Sequence, residues 1–170
     1  MKLIVIDQEG IICEPVRGAD RTNPACRLLN GAAEAIARFN HAGYRVALLQ
    51  DCTALHRGAC DVDGLNRRHT ELMQALAERG ARVDLMLFAD ALPQPLSDLM
   101  QRLRGQAANT TVVSGSADHL SGALQAGCRA IRLLGPNDTG KQGTATGANA
   151  IPEDALVRVN LGAVAHELAH

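Results

Sequence analysis

Two carboxylates stand two residues apart near the start of the chain, Asp7 and Glu9, in the run LIVIDQEGII over residues 3–12. Four apolar residues lead into Asp7, and Gly10 follows Glu9. A buried strand ending on such a pair sets both acids at the edge of a sheet. One carboxylate, ionised, can attack an electrophile there. The other, holding a proton, can protonate a leaving group and then activate water. A strand end followed by a turn favours Asp and Gly on its own account, so the pair needs support from the rest of the chain.

The elements that must position the pair read as strands alternating with helices. Residues 2–6, 45–49, 84–88, 110–114 and 129–134 are short apolar runs. Residues 31–42 carry Ala32, Ala35, Ile36 and Phe39 at helical spacing, with Gly43 where a C-cap belongs. Asp61 opens a helix to about Arg79 that puts Leu65, Leu72, Met73 and Leu76 on one face. A turn through Pro93 and Pro95 precedes a helix near 96–104. Further helices are predicted over 117–126 and 160–169, and 135–150 reads as a Gly- and Thr-rich loop. This order predicts an α/β fold with a parallel sheet covered on both faces. Ligands of such sheets sit outside the carboxyl ends of the strands. The residues to interrogate are therefore 7–10, 50–53, 89–95, 114–119 and those from 135 onward.

The 170 residues suit one domain spanning 1–170. Net charge is −1, and no basic stripe with interleaved aromatics appears, which argues against nucleic acid. No apolar run reaches the ~18 residues of a membrane span, and the N-terminus lacks the pattern of a signal peptide. Cys13, Cys26, Cys52, Cys60 and Cys128 are scattered singly, so reduced thiols in a cytoplasmic protein are expected.

The strand-ending Asp7-Gln8-Glu9-Gly10 resembles the first motif of the haloacid dehalogenase superfamily, a strand followed by Asp-x-Asp-Gly. The resemblance extends through Gly31–Ala42, GYRVALLQDCTALHRG at 43–58, DLMLF at 84–88, AGCRAIRLL at 126–134 and NLGAVAHELAH at 160–170. These segments are similar to the small-capped phosphatases of that superfamily acting on D-glycero-D-manno-heptose 1,7-bisphosphate. The resemblance implies a three-layer α/β/α sandwich of HAD-like Rossmannoid type without a large cap domain.

It also implies roles. Asp7 takes the nucleophile's place and Glu9 that of the acid/base Asp. The extra methylene of Glu9 shifts its carboxyl by about a bond length, and errors of ~1 Å can cost ~100-fold. Gln50, Asp51 and Arg57 fall where phosphate or substrate is bound. Gln50 replaces a hydroxyl, and Asp51 would repel phosphate. Leu92 stands where a phosphate-gripping lysine belongs, and no Lys or Arg lies between Val83 and Met100. Gly115 and His119 replace the two Asp of Gly-Asp-x-x-x-Asp. A weakened Mg2+ site on Asp7, Glu9 and Asp118 follows, and no zinc, because the Cys/His loop is missing.

Each lost charge-stabilising group is typically worth about 3 kcal/mol, or ~100-fold. The expected function is therefore a phosphatase homologue with lost or strongly reduced activity, serving as a binding or regulatory module. Its candidate partners are a phosphorylated sugar or other small anion, and a protein. The alternative is a weak or re-specialised Mg-dependent phosphate-monoester hydrolase using Asp7.

Other signals weigh less. The run DVDG at 61–64 is an intact Asp-x-Asp-Gly, but RGAC precedes it and a helix follows, so capping is the expected role. GPNDTGKQ at 135–142 nearly spells a P-loop, yet Gln142 replaces its Ser/Thr. His119, His56 and Asp118, joined by Asp7 and Glu9, are candidates for a replacement metal site.

Overall fold

Strand β1, Lys2–Asp7, is buried from Leu3 onward. Its alternating side chains divide between two cores. Ile4 and Ile6 enter one, Leu3 and Val5 the other, as the two-residue period of a strand requires. A run buried on both faces belongs in the middle of a covered parallel sheet. The chain is seen in a computed structural model that describes residues 1–14, 27–52, 61–134, 152 and 154–169. Arg57, His56, Lys141 and the 135–142 run lie outside the described residues.

The other strands are β2 (Tyr44–Gln50), β3 (Leu85–Phe88), β4 (Thr110–Ser114), β5 (Arg129–Leu133) and β6 (Leu156–Arg158). They form one parallel sheet in the order β3-β2-β1-β4-β5-β6. Five described α-helices cover it: α1 (Ala32–His41), α2 (Val62–Ala77), α3 (Gln94–Leu103), α4 (Ala117–Gln125) and α5 (Leu161–Leu168). The buried residues of α1, α2 and α5 pack with Ile4 and Ile6. Those of α3 and α4 pack with Leu3 and Val5. The result is the expected three-layer α/β/α sandwich.

Local chemistry explains the helix ends. Asp61 caps α2, its carboxylate accepting from the Gly64 amide at 2.5 Å, so DVDG is a capping sequence. Gly43 takes φ +79° after α1, a left-handed turn that leads directly into β2. Across that turn Phe39 meets Tyr44 edge-on at 5.9 Å. Burying a side chain of the size of Ile36 or Phe39 contributes about 1.5–3 kcal/mol.

Three expectations are corrected. Pro95 lies in the first turn of α3, not in the preceding turn; fixed φ suits proline to that position. The sixth strand was not expected; its three residues pair with β5 at the sheet edge. Cys13 is disulfide-bonded, with its partner outside the described residues, whereas Cys52 and Cys128 keep thiols. Among the described residues no helix is long and apolar enough to cross a membrane.

Candidate active site

Asp7 is the last residue of β1 and pairs in register with Leu49. The turn beyond it is tightly built. The Gln8 amide donates to the Leu49 carbonyl at 2.9 Å, tying the turn to β2. The Ile12 and Cys13 amides both donate to the Gln8 carbonyl at 3.0 Å, and Gly10 donates to the Cys13 carbonyl at 2.8 Å. Gly10 takes φ +80°, a conformation a side chain would strain. Glu9 is exposed at the head of this turn.

Strand β4 runs beside β1 with Ile6 opposite Val113. The next residues, Asp7 and Ser114, are thereby neighbours. Ser114 Oγ donates to Asp7 Oδ2 at 2.9 Å and accepts from the Ser116 amide at 2.9 Å. Ser116 is the N-cap of α4 and accepts from the His119 amide at 3.4 Å. The first turn of α4 then delivers the His119 ring, with Nδ1 3.0 Å from the same Asp7 Oδ2. A carboxylate can only accept, so Nδ1 carries the proton.

Asp7, Ser114 and His119 are 8, 0 and 4% exposed. Water therefore competes little for these hydrogen bonds, and bonds to charged groups in such surroundings are strong. Burial pushes the His119 pKa down, but the hydrogen bond it donates to Asp7 and the charges of Asp7, Asp51 and Asp118 outweigh it, and the net direction is up. Ser114 Oγ also stands 3.5 Å from Nδ1. Acid and hydroxyl thus share one ring nitrogen, which is not the relay of a Ser-His-Asp hydrolase, where they occupy opposite nitrogens.

The remaining predicted positions arrange themselves around this cluster. Gln50 closes β2, is buried, and donates from Nε2 to the Asp51 carbonyl at 3.0 Å. Asp51 and Asp118 are exposed, yet both act on His119 through their charges. Among the described residues no three His, Cys, Asp or Glu side chains gather as a metal-binding group. Leu92 is buried in the core cluster with Leu96, Met100, Leu120 and Ala123. It packs so tightly under α4 that a Cβ on Gly122 would lie 2.6 Å from Leu92 Cβ and 2.7 Å from its carbonyl oxygen. Leu92 is thus an apolar buttress for the helix that carries His119.

Two participants escaped sequence reasoning. Ser114 was one residue in a strand-end run with no assigned role; the β1–β4 register identifies it. Arg132 pairs with Ser114 in the β4–β5 register, so the two side chains share a face of the sheet.

No family model matches the sequence. A search of curated proteins finds the D-glycero-β-D-manno-heptose-1,7-bisphosphate 7-phosphatase of Bordetella bronchiseptica, 30% identical over 179 residues, covering 99% of this chain and 98% of that protein. The Pseudomonas putida protein of the same name is 27% identical over 99% of each. Among solved structures, the B. bronchiseptica D,D-heptose 1,7-bisphosphate phosphatase complexed with magnesium and phosphate aligns with TM-score 0.83, 29% identity and 99 and 98% coverage. The Burkholderia thailandensis enzyme aligns with TM-score 0.76, 32% identity and 98 and 97% coverage. With the Asp7 strand end, the sheet order and this relatedness over its whole length, the chain belongs to the D-glycero-β-D-manno-heptose-1,7-bisphosphate 7-phosphatase family of the haloacid dehalogenase superfamily.

Proposed function

We propose that this chain binds a phosphorylated sugar or comparable small anion at its strand edge, has lost most phosphatase activity, and serves as a single-domain binding or regulatory module read by a protein partner. One observation carries the reading: Asp7 Oδ2 is already occupied by two donors, Ser114 Oγ at 2.9 Å and His119 Nδ1 at 3.0 Å. A nucleophile held this way gives its electron density to the protein. Hydrogen bonds to charged groups are worth about 1.5–3 kcal/mol each, and weakening them on the way to a transition state raises the barrier.

Phosphoryl transfer depends on neutralising the charge of the transferring group. Asp51 and Asp118 work against that, and Leu92 contributes no cation. Magnesium prefers oxygen ligands in near-ideal octahedral geometry. At Asp7 Oδ2 it would have to displace both donors, which supports a weakened metal site. Arg132 and, outside the described residues, Arg57 are the cations assigned to anion binding.

A second reading keeps Asp7 as nucleophile, Glu9 as acid/base, and Mg2+ on Asp7, the Glu9 carbonyl and Asp118. The intact turn, with Gly10 at φ +80°, favours it. Phosphate release from a panel of sugar phosphates, with and without Mg2+, separates the two. The proposal expects release no faster than from Asp7→Asn, together with a thermal shift on adding sugar phosphates. Release that Asp7→Asn abolishes supports the second reading.

A further inference from the structure

We infer that His119 occupies the place at Asp7 Oδ2 that a divalent cation would need, so that the strand-edge site works without a metal and one substitution opens it to Mg2+. The inference rests on the reading of this edge as a ligand site. Its support is geometric. Asp7 Oδ2 accepts from Ser114 Oγ at 2.9 Å and from His119 Nδ1 at 3.0 Å, so the directions from which a cation would approach that oxygen are filled by hydrogen atoms. An N–H is no metal ligand; only the deprotonated nitrogen binds.

Neither donor is loose. Ser114 Oγ is pinned by the Ser116 amide at 2.9 Å. His119 is 4% exposed and sits in the first turn of α4, which is fixed at its start by the Ser116 cap. Farther along, α4 is held by the close packing of Gly122 on Leu92. Swinging the ring away would require repacking its buried surroundings. The nearby carboxylates Asp51 and Asp118 are exposed, and their charges act on the imidazole. The protein's own donor thus offsets the negative charge of Asp7.

The consequence is a swap. Replacing the ring with a short oxygen-bearing side chain removes the N–H and gives Asp7 a second oxygen ligand beside it. Thermal melting of wild type, His119→Asp and His119→Asn is measured with Mg2+ and with NaCl of matched ionic strength. Wild type is expected to melt at the same temperature in both. A folded His119→Asp or His119→Asn protein is expected to gain about 5 °C at Mg2+ well above its Kd, and to lose that gain when Asp7→Asn is added. A Mg2+-specific rise in wild type that Asp7→Asn removes overturns the inference, as does indifference to Mg2+ in both folded variants. If neither variant folds, the wild-type comparison alone decides.

Phosphate release is read on the same samples. Metal-free turnover by wild type would break the loss-of-activity reading and leave this inference standing. A Mg2+ response without turnover would do the reverse.

Discussion

Asp7 and His119 lie 112 residues apart in the chain and 3.0 Å apart in the fold, joined through one carboxylate oxygen that Ser114 also holds. Strand β1 delivers the acid, the N-terminus of α4 delivers the imidazole, and β4 delivers the hydroxyl between them. In this family member Asp7 is a hydrogen-bond acceptor inside the protein.

The first consequence is a pH dependence. His119 has a raised pKa in the folded state despite its burial, through Asp7 and the charges of Asp51 and Asp118. A raised folded-state pKa means the contribution is fully present below the unfolded value of about 6.5 and is lost as pH rises through the folded pKa. Melting temperature should fall across that window. Asp7→Asn should flatten the fall, and an identical profile in both proteins would contradict the assignment.

Ser114 is fully buried and bridges Asp7 to the Ser116 amide. Ser114→Ala leaves both partners short of a bond, which costs about 1–3 kcal/mol. Denaturant melts should show that loss; an unchanged midpoint would mean the bridge carries no stability.

Gly122 and Gly115 make a matched pair. A Cβ at Gly122 would sit 2.6–2.8 Å from Leu92 Cβ, carbonyl carbon and carbonyl oxygen, whereas nothing lies within 4 Å of one at Gly115. Backbone cannot retreat as a flexible side chain can. Gly122→Ala should cost about 1–3 kcal/mol, and Gly115→Ala should stay within about 0.5 kcal/mol of wild type. Equal melting temperatures for the two variants would refute the close approach of α4 to Leu92.

Cys128 is buried, which pushes its thiol pKa up to about 11. Since the thiolate is the reactive form, alkylation of the native protein at neutral pH should leave Cys128 unmodified in peptide mass spectra. Rapid native labelling at that residue would contradict its burial.

Much of this framework is legible in the sequence, because apolar runs and capping residues are local signals. Strands β1, β2 and β4, the helical spacing of Ala32, Ala35, Ile36 and Phe39, and the Asp61 cap all follow from neighbours a few residues apart. Strand β6 does not, since three residues at a sheet edge need no distinctive pattern. Pro95 carries a turn signal in the sequence, although proline fits the first turn of a helix equally well. The site is legible only in half. Asp7 announces itself by ending a buried strand, but Ser114, Arg132 and the His119 hydrogen bond depend on strand register and on the entry of α4. Composition and spacing carry neither. The Cys13 disulfide is of the same kind, a contact made by tertiary folding between singly placed cysteines.

The most direct test is inorganic phosphate released from D-glycero-D-manno-heptose 1,7-bisphosphate and other sugar phosphates, with and without Mg2+, by wild type and Asp7→Asn. The account predicts that the two proteins release phosphate at the same low rate and that Mg2+ changes neither. Mg2+-dependent release by wild type that vanishes in Asp7→Asn would contradict it.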